Sequence, residues 1–124
     1  MIFVGKTIKL ANDLYLANDL YSSTEKVVGK WTDGRDVYRR VISGTTPSSS
    51  GQIENLGFTM GSIVRENLEF LSSSGFWVGR GYYEDGALKF SYTISNSGSI
   101  YFSHLSNDAL NRPYTLIIEY VKSS

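Results

Sequence analysis

The sequence predicts an all-β fold: a compact antiparallel β-sandwich or barrel-like domain of seven to eight short strands, with an appended N-terminal segment. Three observations predict it. The 124 residues include 12 Gly and, together, 26 Ser and Thr, but only 4 Ala, a composition that disfavours helices and favours strands and turns. Leu88, Phe90, Tyr92 and Ile94 alternate with Lys89, Ser91, Thr93 and Ser95, the two-residue period of a half-buried strand. Turn formers such as Asp33-Gly34, Glu84-Asp85-Gly86 and Asn96-Ser97-Gly98 punctuate the chain at short intervals.

Residues 1–24 read as an arm or stem, distinct from a β-rich domain over residues 25–124. Leu10-Ala11-Asn12-Asp13-Leu14-Tyr15 is followed at once by an identical copy, Leu16 to Tyr21. That period matches neither 3.6 nor 3.5 residues, so a long coiled coil is a poor reading. Two copies are too few for a solenoid. Lys26–Trp31 then reads as a strand, Asp33-Gly34 as a two-residue turn, and Arg35–Ile42 as the returning strand. Trp31 is expected to pack across this ribbon. Residues 43–57 lack periodicity and read as a loop, either mobile or functional.

Short strands resume at Phe58–Val64 and Asn67–Leu71, the second also compatible with a helical turn. Ser72-Ser73-Ser74-Gly75 connects to a strand over Phe76–Tyr83, in which Gly79 and Gly81 mark bulges or close backbone contact. Leu88–Ile94 and Ile100–Leu105 follow. Ser106–Pro113 is a loop, and Tyr114–Val121 closes the domain with Leu116, Ile118 and Tyr120 on one face.

Charge and composition exclude several classes. Lys plus Arg is 12 and Asp plus Glu is 12, so nothing draws the chain to polyanions, and no nucleic-acid partner is expected. A hydrophobic content of 41% is too high for a disordered chain. No cysteine is present, so disulfides and thiolate chemistry are absent. The apolar run at Ile2-Phe3-Val4 is too short for a signal-peptide core, and no stretch approaches a membrane span.

Catalysis finds little footing. The single histidine, His104, sits beside Phe102 and Leu105 in a strand and reads as structural. There is no P-loop, dinucleotide fingerprint or calcium loop. Glycoside hydrolysis needs two carboxylates held across a cleft. Glu66 and Glu69 share a face on a helix but not on a strand. No catalytic residue, metal or cofactor is expected, and the chain is not expected to be an enzyme. A binding surface is the better reading. Trp77, Arg80, Tyr82 and Tyr83 crowd one glycine-rich stretch, and Tyr101 and the loop Ser106–Arg112 are candidate contributors. Aromatic faces stack on sugar rings, and the polar neighbours bond hydroxyls. On a regular strand Tyr82 and Tyr83 face opposite sides.

Val28-Gly29-Lys30-Trp31-Thr32-Asp33-Gly34-Arg35 and Val37-Tyr38-Arg39-Arg40-Val41-Ile42, after the lead-in Tyr21-Ser22-Ser23-Thr24-Glu25, resemble a segment of bacteriophage and prophage tail, fibre and baseplate proteins. There a Trp-x-Asp-Gly hairpin and a Tyr-Arg strand open a β-rich C-terminal head. Tyr114–Lys122 resembles the terminal strand of those heads. Trp31, Asp33, Gly34, Tyr38 and Arg39 match, whereas Asp36 stands where proline is common. The matched stretches cover about a quarter of the chain. The resemblance implies a virion protein, a fibre or tail-tip head that forms a homotrimer and binds a host cell-surface polysaccharide. In it the hairpin residues are structural, and residues 1–24 meet other virion proteins. A purely structural decoration or adaptor with no host ligand is the alternative it leaves open.

Overall fold

The computed structural model describes residues 21–123. The duplicated hexapeptide before Tyr21, and with it most of the expected arm, lies outside them. The described residues form nine strands: β1 (Lys26–Lys30), β2 (Asp36–Thr45), β3 (Gln52–Asn55), β4 (Ser62–Leu71), β5 (Trp77–Gly79), β6 (Tyr82–Glu84), β7 (Ala87–Ser95), β8 (Ser99–Leu105) and β9 (Pro113–Val121). A 3₁₀ turn, Asn107–Ala109, joins the last two. Two antiparallel sheets face each other as a sandwich, one ordered β1-β2-β9-β4-β5 and the other β3-β8-β7-β6.

Alternation builds the core. Tyr114, Leu116, Ile118 and Tyr120 point inward from the central strand β9, with Leu68 and Phe70 beside them on β4. Phe90 and Tyr92 of β7, and Ile100, Phe102 and Leu105 of β8, face them from the other sheet. Rings meet across the gap, Phe70 against Phe90 at 4.6 Å and Phe102 against Tyr114 at 5.9 Å. Such pairs contribute about 0.5–1.5 kcal/mol each beyond their buried area.

Two bulges keep apolar residues inside where simple alternation fails. In β4, Ile63 pairs Tyr120 and Arg65 pairs Glu119, so Val64 is an extra residue. Ile63 therefore shares the inner face with Glu66, Leu68 and Phe70 despite its odd number. In β8, Phe102 and Ser103 together oppose Tyr92, so Phe102 and Leu105 are both buried. Each deep tyrosine ends on a carboxylate at the sandwich margin. Tyr92 Oη donates to Glu66 at 2.6 Å, Tyr114 Oη to Glu54 at 2.8 Å, and Tyr120 Oη to Glu25. Among the described residues no buried side-chain nitrogen or oxygen lacks a partner.

Several expected elements differ. The first hairpin is not closed by a two-residue turn: Lys30 pairs Asp36, leaving five residues between the strands. Gly34 has φ +92°, and Asp33 is absent from the positive-φ residues. Asp33 works through its carboxylate instead, accepting from the Arg35 amide at 3.1 Å and from Arg35 Nε at 2.8 Å. Trp31 remains 42% exposed rather than packing into the ribbon. Tyr38 stacks on Tyr120, and Arg39 forms two hydrogen bonds to Glu119.

The stretch 43–57 is pinned, not free. β2 runs through to Thr45, β3 pairs with β8, and buried Thr46 accepts from the Arg112 amide at 2.7 Å. The two strands expected over 58–71 are one, because Arg65 and Glu66 do not interrupt it. Strand structure begins only at Ser62, since Gly61 packs against the Lys122–Ser123 backbone, where a Cβ would come within 2.4 Å of the Ser123 nitrogen. Phe76–Tyr83 is not one strand. It breaks at Arg80-Gly81, where the chain leaves the first sheet for the second and Gly81 takes φ +79°.

Candidate functional site

The break at Arg80 decides the fate of the expected patch. β4 and β5 are joined by a tight turn in which the Ser72 amide donates to the Phe76 carbonyl at 2.7 Å and the Phe76 amide to Ser72 Oγ at 3.1 Å. Gly75 supplies the positive φ of +91° that this turn requires. Phe76 and Trp77 thus emerge at the edge of the five-stranded sheet, 68% and 54% exposed. Past Gly81, Tyr82 lands opposite Phe90 in the other sheet, half-buried against the core.

Between these two edges lies a cleft of about 340 Å³. Phe76, Trp77 and Val78 line it from the first sheet, Tyr82 and Glu84 from the second. Asp108 closes it from the 3₁₀ turn, with Ser72 and Ser74 beside it. The wall is braced. Ser73 Oγ donates to Asp108 Oδ1 at 2.6 Å, and Arg112 donates to the Leu71 and Ser72 carbonyls at 2.7 and 3.2 Å. Burial, then the negative charges of Glu84, Asp108 and Asp85, hold the Tyr82 hydroxyl above its ordinary pKa. At neutral pH it is therefore a protonated donor among carboxylate acceptors. Rigid aromatic faces beside a few convergent polar groups are what a small polar ligand needs.

The other expected site residues are elsewhere. Arg80 faces away from the cleft. Its Nη1 pairs Glu66 Oε2 at 2.8 Å, its Nε donates to the Tyr92 carbonyl at 3.1 Å, and its guanidinium lies 4.1 Å from the Tyr92 ring centroid. It is a structural tie between the sheets. Tyr83 is exposed opposite Leu88 and does not line the cleft, so the opposite placement of Tyr82 and Tyr83 holds in burial. Tyr101 lies on the outer face of the four-stranded sheet, paired with Ile53 and Thr93. Only Trp77 and Tyr82 of the five come together.

Phe76, Glu84 and Asp108 complete the cleft without having been singled out. Phe76 was legible as the neighbour of Trp77 after a serine-glycine turn, and Asp108 as a member of the loop named above. Glu66 and Glu69 face opposite sides of β4, as strand geometry dictates, so they do not form a pair across a cleft. Among the described residues no cluster of three His, Cys, Asp or Glu could hold a metal ion. No helix among them is long and apolar enough to cross a membrane. No protein-family model, curated protein or solved structure matches this chain.

Proposed function

We propose that this chain is a glycan-binding head of a phage virion, part of a fibre or tail tip, and that the cleft between Trp77 and Tyr82 takes a host cell-surface saccharide. The observation that carries the reading is the exposure of Phe76 and Trp77 on a braced edge, beside a protonated Tyr82 hydroxyl and the Glu84 and Asp108 carboxylates. Indole and phenyl faces stack on the C–H face of a pyranose, while carboxylates accept from its hydroxyls. The hairpin residues support the virion assignment in a structural role: Arg39 on Glu119, Tyr38 on Tyr120.

The chain leading into the domain is strapped along β2. The Val41 amide donates to the Ser22 carbonyl at 2.9 Å, Arg40 reaches the Ser23 carbonyl, and Arg39 lies over the Tyr21 ring at 4.4 Å. This strap occupies the edge opposite β5, so Tyr21, Ser22 and Ser23 lie on the side away from the cleft. That arrangement suits an arm that joins other virion proteins while the cleft faces outward. The test is a screen of bacterial surface glycans with the full chain and with Trp77→Ala. Binding that falls about thirtyfold or more in the variant, at unchanged melting temperature, is the expected result for a stacking anchor. No binding by the parent chain overturns the reading.

The purely structural alternative is favoured by a different feature. Ile53 and Tyr101 form an exposed apolar pair on the outer face of the four-stranded sheet, 70% and 43% accessible, suited to a neighbouring virion subunit. Light scattering on the full chain addresses the assembly: roughly 41 kDa, three protomers of 13.8 kDa, is expected for a trimeric head. A stable monomer would refute the self-sufficient trimer.

A further inference from the structure

We propose that the ligand is an extended glycan without net negative charge that runs across the Trp77 indole and fills a second groove on the outer face of the five-stranded sheet. This rests on the glycan-binding reading above. Trp77 walls two hollows at once. One is the edge cleft with Tyr82, Glu84 and Asp108. The other, about 270 Å³, lies over the outer sheet face and is lined by Asn67, Glu69, Thr115 and Ile117.

Strand register explains the second hollow. Trp77 opposes Leu71 and Gly79 opposes Glu69, so Trp77, Gly79 and Glu69 share the outer face, with Thr115 next across the sheet. Gly79 carries no side chain, which leaves the sheet surface beside the indole open. A single sugar occupies one hollow at most. A chain lying over the indole reaches both, with Asn67 and Thr115 available to its hydroxyls on one side and Tyr82 on the other. Affinity should therefore rise with chain length until both hollows are filled.

Charge sets the class of glycan. Glu69 lies in the outer groove, Glu84 and Asp108 in the cleft, and neither hollow is lined by Lys or Arg. The upward displacement of the Tyr82 pKa by Glu84, Asp108 and Asp85, after burial, reports the same negative field. Uronic-acid, sialic-acid or phosphate-bearing polymers would be repelled, whereas neutral sugars bond these carboxylates and amino sugars pair with them.

The experiment is calorimetric titration of the full chain with oligosaccharides of two and six units. Chito-, cello- and malto-oligomers are the neutral series, chitosan oligomers the cationic one, and oligogalacturonate and hyaluronan the anionic ones. At least one neutral or cationic series should bind tenfold or more tightly at six units than at two, and the anionic series should not bind. Asn67→Arg, at an exposed strand position, fills the outer groove beside Glu69. It should reduce six-unit affinity to the level of the parent's two-unit affinity, with the melting temperature as the check on folding. Equal affinity at both lengths, insensitivity to Asn67→Arg, or anionic binding as tight as neutral overturns the inference and leaves the glycan-binding reading standing. Binding of no series by a folded parent chain overturns both.

Discussion

Removing one oxygen from Tyr92 should cost this domain more than removing one from Tyr114, although both are buried core tyrosines bonded to glutamate. The reason is the short edge strand β5. It pairs β4 only from Glu69 to Leu71, so the Leu68 amide on that side has no strand partner. The Tyr92 hydroxyl fills the gap, accepting from Leu68 N–H at 3.1 Å while donating to Glu66 at 2.6 Å. Tyr92→Phe strands a buried amide, about 1–3 kcal/mol, and loses a bond to a carboxylate, about 1.5–3 kcal/mol. Glu66 keeps Arg80, so the lower part of that range applies, and the total is about 3 kcal/mol. Tyr114→Phe loses only the Glu54 bond, about 1.5 kcal/mol. For a domain near 100 residues this means melting temperatures lower by roughly 12–15 °C and roughly 6 °C. Urea unfolding of the two variants and the parent, with equal m-values, gives the difference directly. Equal losses, or a larger loss for Tyr114→Phe, would refute the view that a side-chain oxygen completes the β4 ladder.

Three further outcomes are expected. Stability should fall steeply above pH 10, because burial and then the partner glutamate hold Tyr92, Tyr114 and Tyr120 above the ordinary value of 10.0. Their neutral forms stabilise the fold fully below that value and lose effect as pH rises past it, with a slope of about 4 kcal/mol per pH unit for three protons. Denaturant titrations against pH, with tyrosinate absorbance as the second probe, measure it; a flat profile would contradict the shifts. Gly98→Ala should destabilise by at least about 3 kcal/mol, since Gly98 has φ +90° and a Cβ would sit 1.7 Å from the Phe58 carbonyl oxygen. Gly75→Ala, at φ +91° in open space, should cost only about 1–2 kcal/mol, and similar losses in both would show that the Phe58 segment yields. Arg80→Ala should lower stability by about 1–2 kcal/mol while leaving glycan affinity of the folded protein unchanged, because the guanidinium serves Glu66 and Tyr92. A parallel loss of affinity in titration calorimetry would return Arg80 to the binding surface.

The fold was legible wherever period and turn chemistry coincided. β7 and β9 show clean alternation between polar turns, and their inward residues follow the pattern. The failures have physical causes. β3 hides in a serine-rich stretch because it is a four-residue edge strand with one inward glutamate, Glu54, and an exposed Ile53. β4 reads as two pieces because Arg65-Glu66 interrupts an apolar pattern, yet Glu66 points inward and is satisfied by Tyr92 and Arg80 from the other side of the sandwich. Partners that distant leave no local mark. The candidate site was half legible for the same reason. Aromatic crowding pointed to Trp77 and Tyr82, but the crossing between sheets at Arg80-Gly81 redistributed their neighbours, and Asp108 joins them only through tertiary structure.

The extra residue at Val64 means that β4 is read in two frames. Ahead of it the odd positions belong to the interior, and behind it the even ones do. Deleting Val64 would join Ile63 to Arg65 in a regular ladder, with Ile63 still opposite Tyr120 on the inner face and Ser62 still opposite Val121 on the outer one. A one-residue deletion at this point is thus silent in the core, whereas drawing Val64 into the ladder opposite Tyr120 would turn Ile63 outward. A segment transplanted into this sandwich at that place needs the irregularity only if it carries the extra residue.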